Sequence, residues 1–263
     1  MDWQRNIEVL TPLFNRGAYQ DTPEIRVPSI RGMVRWWFRA LGGTSDEEKQ
    51  VFGGMKKFGR QFASDVMASN LVFRVRARPQ RIIRSPTLPH KQGGPASPQA
   101  AFASGAAFHL EVFSRRGGLP PALQAKVTNS LEVWLLLGAL GLRANRSGGN
   151  VWPADGTAPN TPAELRTRLN TLGCHWPVML AGLEAGTTQE QLRVAATDTV
   201  NGSPRVFGYA KGRDRQASTL KFKIVRLEGI PRLLVLAPDA KVLEQAGQAL
   251  RGHRSRPETW VLI

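Results

Sequence analysis

Arg31, Arg35 and Arg39 recur every four residues within the stretch 30–41. Four residues is close to one helical turn, so a helix would carry the three guanidinium groups on one face. None has an acid three or four positions away on that helix to neutralise it. Unpaired guanidinium groups in a row bond phosphate oxygens in forked pairs and stack on bases. The face therefore reads as a phosphate-binding surface, and its plainer alternative is a solvated or subunit-pairing face. Trp36 lies off the apolar side of the same helix, where it could stack on a base or bury in a partner. Arg26, just ahead of the helix, belongs to the same basic group.

A second series begins at Leu71. Arg74, Arg76 and Arg78 alternate with Phe73, Val75 and Ala77, the period of a strand, which spaces the arginines about 6.6 Å apart along one face. Arg81, Arg84 and Lys91 continue the series, and no acid occurs between Asp65 and Glu111. This is the strongest local charge signal and reads as a phosphate track. The segment 141–150 supplies Arg143 and Arg146 beside Gly148 and Gly149. Glycines let backbone N–H groups approach a phosphate closely, although Gly141 alone would suffice to end a helix. No Gly-Lys-Ser/Thr follows, so this is not a nucleotide-binding P-loop. Two more charge runs, Lys56, Lys57 and Arg60, and Lys211, Arg213 and Arg215 with Lys221 and Lys223, are candidates for RNA contact or merely solvated faces.

Catalytic groups are sparse. Asp21 sits in the loop before the arginine helix, where one carboxylate could help place a divalent metal without completing a two-metal site. Glu24 is near it and is expected to pair with Arg26. His90 and His109 could serve as general bases but have no evident partner. Cys174 is the single cysteine and the four histidines are scattered, so no metal centre or disulfide framework is expected. No cofactor is implied. The whole chain carries 36 basic and 20 acidic residues over 263, a net charge of +16. A field of that sign and size calls for a polyanionic partner, nucleic acid before a membrane surface. The longest apolar run, around Leu135 to Leu142, is too short to span a bilayer, so the expectation is a soluble, cytoplasmic protein.

The elements that must position these groups follow from periodicity. Residues 6–14 read as a first strand. Ser29 stands where a helix N-cap belongs, and Ile30, Met33, Val34, Trp37, Phe38 and Leu41 form one apolar stripe that ends at Gly42-Gly43. Residues 51–54 read as a turn, 71–78 as a strand, 85–107 as a long mobile finger or hairpin, and 109–113 as the returning strand. A helix over 121–142, the glycine-rich loop and a strand at Val151-Trp152 complete the order βαββαβ, that of a ferredoxin-like (RRM-like) domain. Beyond Pro153 the signals are a helix at 161–172 capped by Thr161, a second near 189–196, strands at 219–227 and 231–236, a helix at 239–250 and a last edge strand at 259–263. The chain is thus expected to be α+β, with one module over 1–155 holding an insertion at about 80–107, and a less regular α+β module over 156–263.

Glu24-Ile-Arg26, Ser29-Ile-Arg-Gly32 and Arg35-Trp-Trp-Phe-Arg39-Ala-Leu41, preceded by Thr11-Pro-Leu-Phe14 and followed by Phe52-Gly53, resemble the RAMP superfamily of CRISPR-associated RNA-binding proteins. Within it the pattern is similar to subunit one of the Cmr complex, the type III-B effector. The likeness is clear over residues 6–54, returns at 141–149, and is fainter at 215–218. The resemblance implies two ferredoxin-like modules in a multi-subunit effector with other RAMP subunits. It implies contact with guide RNA (crRNA) near its 3′ end and help in capturing target RNA, without being the nuclease; base pairing would read sequence while protein holds the backbone. Related backbone subunits cut target RNA with a loop aspartate and a divalent metal, which is the competing expectation for Asp21.

Overall fold

The computed structural model describes residues 1–19, 21–58, 61–76, 81–90, 98–115, 117–181, 186–198, 207–211, 214–250 and 260–263. The first strand, β1 (Asp2–Val9), starts and stops earlier than the sequence expectation of 6–14. Thr11 and Pro12 interrupt it, since proline has no N–H for the ladder. Residues 10–15 run on as buried chain, and Leu13 bridges to Phe102. The arginine helix, α1 (Val27–Ala40), begins two residues before Ser29, with Arg26 at the cap position and no side-chain cap. Pro28 falls in the first turn, where its missing N–H costs nothing. At the other end Gly42 takes φ +85°; its N–H reaches the Arg39 carbonyl and that of Gly43 reaches Phe38. This paired closure requires a left-handed residue, hence glycine.

Helix α2 (Ser45–Phe52) replaces the expected turn at 51–54. Its signal is Thr44 followed by Glu47: the Thr44 hydroxyl accepts from the Glu47 N–H at 3.2 Å and the Glu47 carboxylate accepts from the Thr44 N–H at 2.9 Å. Next come a hairpin, β2 (Gly54–Phe58) and β3 (Gln61–Met67), then β4 (Leu71–Arg76). The expected finger is another hairpin, β5 (Ile82–Ser85) and β6 (Gln99–Phe102). It is no free excursion at its base, because Ala100 to Ala103 are buried; residues 91–97 at its end lie outside the described residues. Strand β7 (Ala107–Ser114), helix α3 (Pro121–Leu137) and β8 (Val151–Pro153) complete the first half. The sheet order is β4-β7-β1-β8 and every neighbouring pair is antiparallel.

The second half repeats this plan. After α4 (Pro162–Thr171) come β9 (Val178–Ala181), α5 (Gln189–Thr197), a short hairpin β10 (Tyr209–Lys211) and β11 (Asp214–Gln216), β12 (Lys221–Leu227), β13 (Ile230–Leu236), α6 (Ala240–Leu250) and β14 (Trp260–Leu262). The order β12-β13-β9-β14 places these strands as β4-β7-β1-β8 are placed in the first sheet, again all antiparallel. Strand β9 was not legible from the sequence: it is four residues long and follows the irregular segment 174–177.

Side chains of α1 and α3 cover one face of the first sheet. Trp3, Ile7, Val9, Phe108, Leu110 and Val112 meet Ile30, Val34, Trp37, Val127, Leu131 and Trp134 there. Val225, Leu227, Leu234 and Leu236 of the second sheet join that same core, while Phe222, Ile224, Leu233 and Val235 build a second cluster with α5 and α6. The second sheet is thus apolar on both faces, which explains the unbroken run Leu233 to Ala237. It also explains α3, where every residue from Ser130 to Leu137 is buried. That helix ends at Leu137, five residues short of the expectation, with Gly138 as its cap, because Ala139 turns away to bridge to Asn150.

Candidate nucleic-acid interface

Helix α1 delivers its arginines as the four-residue period requires, but α2 changes their state. Arg39 reaches the Glu48 carboxylate at 2.7 Å, and Arg35 bonds the same oxygen. Arg31 donates to the Phe52 carbonyl. The expectation of unpaired guanidinium groups is therefore corrected: the acid comes from a neighbouring helix rather than from α1. Burial raises the Glu48 pKa, but the bonds and charges of Arg35 and Arg39 outweigh it and hold the carboxyl below its ordinary value. Neutralisation is incomplete, since one carboxylate serves two arginines whose side chains remain 43% and 48% exposed. Arg31 is held below the usual arginine value by burial first, then by the positive charges of Arg35 and Arg115. Arg115, exposed just beyond β7, thus belongs to the same basic field. The sequence reading missed it; the Arg115-Arg116 pair after a strand was its only signal.

Trp36 is partly buried within the chain itself. Its ring meets Trp37 edge-on at 4.9 Å and Trp176 at 5.7 Å, and Lys221 Nζ sits 4.1 Å above it. It joins the two halves, so the free stacking platform is corrected. The second half supplies its cover, which periodicity along one helix cannot foresee.

On β4, Arg76 lies 2.7 Å and Arg74 3.6 Å from the Glu111 carboxylate across the ladder. Arg74 also stands 5.3 Å over the Phe113 ring. The acid that closes the acid-free segment in sequence is the cross-strand partner of its first arginines. Both side chains stay at least half exposed on the sheet face away from the helices. Arg81 is exposed, and Arg84 spans its own hairpin to the Pro98 carbonyl at 3.0 Å. His109, expected to lack a partner, holds Asn6 Oδ1 at 2.8 Å.

The glycine-rich loop is used for folding. The Gly148 N–H bonds the Arg143 carbonyl and the Gly149 N–H bonds Pro12, so neither offers its donor to phosphate. A Cβ on Gly149, at φ +61°, would lie 2.0 Å from the Leu140 oxygen. Arg146 packs over the rings of Phe222 and Phe207 at 4.9 and 5.6 Å and donates to the Phe207 carbonyl. Arg143 alone of the loop's cations is exposed. The loop therefore clamps the halves together, and the expected phosphate cradle is corrected at Gly148, Gly149 and Arg146.

Lys223 is fully buried and donates to the carbonyls of Leu135, Gly138 and Val151, closing the C-terminus of α3. Burial drives its ammonium well below the ordinary lysine value. Lys221, bonded to Asn145 at 2.8 Å, is pushed down by burial to about 8. Neither is a surface cation. Arg26 bonds the Arg16 carbonyl at 3.1 Å and lies 3.9 Å from Glu24. Asp21 is exposed in a turn, and among the described residues no three His, Cys, Asp or Glu side chains gather as a metal site. Lys56, Lys57, Lys211 and Arg215 lie in strands of the two small hairpins; Arg60, Arg78, Lys91 and Arg213 lie outside the described residues. No described helix is long and apolar enough to cross a membrane.

The sequence profile of the RAMP superfamily matches residues 6–152. The CRISPR system Cmr subunit Cmr1-2 of Pyrococcus furiosus is 35% identical over 79 residues, covering 25% of this chain and 42% of that protein. Cmr1-1 of the same organism is 41% identical over 63 residues, or 20% and 16% of the two chains. The chain thus spans less than half the length of the curated relatives it matches. Among solved structures, apo Cmr1 from Pyrococcus furiosus superposes with a TM-score of 0.63 at 19% identity, covering 90% of this chain and 87% of that one. A chain of a type III-B Cmr-β complex bound to cognate target RNA gives 0.60 at 11% identity, over 94% and 98%. At such identities these two likenesses concern the fold.

Proposed function

The chain belongs to the RAMP superfamily, and from that premise we propose that it is a non-catalytic RNA-binding subunit of a type III CRISPR effector complex. In this reading it contacts guide RNA near the 3′ end, helps capture target RNA and packs against other RAMP subunits in the cytoplasm. We read its two sheets, each in the same strand order, as tandem ferredoxin-like modules. The observation that carries the proposal is the basic surplus around α1. Arg31, Arg35, Arg39 and Arg115 crowd one another, and the ion pairs described among them use a single carboxylate, Glu48. Excess charge held at that density is relieved by phosphate. Similarity to a chain solved in a complex with cognate target RNA supports the same class of partner.

The test is RNA affinity against salt. Replacing Arg31, Arg35 and Arg39 with alanine should lower both the affinity and the salt slope, by roughly 0.7 for each phosphate of a single strand that is no longer neutralised. An unchanged slope would assign this face to protein contacts. The competing reading is a target-cutting RAMP nuclease, favoured by the exposed loop carboxylate of Asp21. Incubation of the assembled complex with complementary RNA and Mg²⁺ decides it: cleavage that Asp21→Ala abolishes without loss of binding would overturn the non-catalytic assignment.

A further inference from the structure

A cavity of about 120 Å³ opens where α1, α3 and the end of α4 meet. Phe38, Leu41 and Leu172 give it apolar walls, and Lys126 and Asn129 stand at its polar side. Gly173, at φ +72°, leaves one flank open, since a Cβ there would meet nothing within 4 Å. The volume is of the order of the ~150 Å³ cavity that admits benzene in an engineered core, so a single planar ring fits the scale. This cavity is not purely apolar. The Asn129 amide, half-buried on α3, has no hydrogen-bond partner among the described residues. A side-chain amide offers a donor and an acceptor side by side, the pairing that a nucleobase edge presents in return. Charge lies next to it. Lys126 Nζ is 2.5 Å from Glu47, and Arg39 follows Phe38 directly on α1.

We propose that this cavity receives one unpaired nucleobase of a bound RNA strand, its edge on the Asn129 amide and its ring between Phe38 and Leu172, with the adjoining phosphate on Arg39. The proposal rests on the RNA-binding reading and deepens it, adding a base-edge contact to the phosphate and stacking contacts that the sequence suggested. Phosphate contacts fix a strand's position, while a base pocket fixes its register.

The experiment compares two probes on the purified chain: a short single-stranded RNA oligomer and a strand of equal length built from abasic residues. Asn129→Leu should weaken the base-bearing strand roughly three- to ten-fold, the worth of one hydrogen bond, and leave the abasic strand unchanged. Asn129→Ala repeats the test without added bulk. Arg39→Ala should weaken both strands. Equal affinities of both Asn129 variants and the parent for the base-bearing strand would overturn the pocket while leaving RNA binding intact. Failure of the parent chain to bind either strand at low salt would overturn the RNA reading itself, and the pocket with it.

Discussion

Replacing Glu48 with glutamine removes the one negative charge that Arg35 and Arg39 share. If those arginines meet RNA, Glu48→Gln should raise affinity and steepen its salt dependence, which a filter-binding series in increasing salt would show. The variant should also be less stable near neutrality. The Glu48 carboxyl is held below its ordinary value in the folded chain, so its contribution is present above the unfolded carboxylate range and fades as pH falls through the folded value. Urea midpoints of variant and parent should therefore converge in acid. The buried lysines change stability in the same direction, at higher pH, because their values too are lowered in the folded chain. Lys221 titrates near 8 against an ordinary 10.5, so between those values the unfolded chain holds more protons and stability rises with pH. Lys221→Met should flatten that rise, and Lys223→Met should cost about 1–3 kcal/mol by leaving the α3 carbonyls without their donor.

Gly149 is where an element depends on a single backbone conformation. Its left-handed φ and its closeness to the Leu140 oxygen mean that Gly149→Ala should destabilise the chain by about 2 kcal/mol or more, readable from a urea midpoint. The loop was legible as special but its purpose was not, because a positive-φ glycine that clamps two segments has the same sequence signature as one that cradles phosphate. Helix α1 was legible as a stripe: Ile30, Val34, Trp37 and Phe38 are buried, and Met33 and Leu41 pack against the same core. Its start was misplaced because Ser29 is a good cap in isolation and Pro28 an equally good first-turn residue. Helix α2 carried a capping box in plain sight at Thr44 and Glu47, yet eight residues with three acids in the first turn show little apolar period. Missing α2 hid Glu48, and with it the neutralisation of the arginine face.

Across the whole molecule, one core links the two sheets. Trp36, Trp37 and Trp176 meet between the halves, and Lys223 of β12 closes a helix of the first. Urea unfolding should accordingly be a single transition, with tryptophan fluorescence and far-ultraviolet circular dichroism coinciding; two separated transitions would show halves that stand alone. The sequence order of strands and helices was enough to anticipate the first sheet. The second was obscured by its short β9 and by strands buried on both faces, which lose the alternation that marks a half-exposed strand. Charge was legible as a total and as runs along the chain: +16 says that a polyanion is wanted, whereas Glu48 and Glu111 decide which arginines remain available to it. Whether the chain holds RNA within a guide-loaded RAMP assembly is decided by tagging it in its source cells, purifying it at moderate salt and sequencing what comes with it. A small RNA of defined length should come with it, together with other RAMP subunits. Recovery of the chain alone, or with RNA of no defined length, would contradict the proposed function.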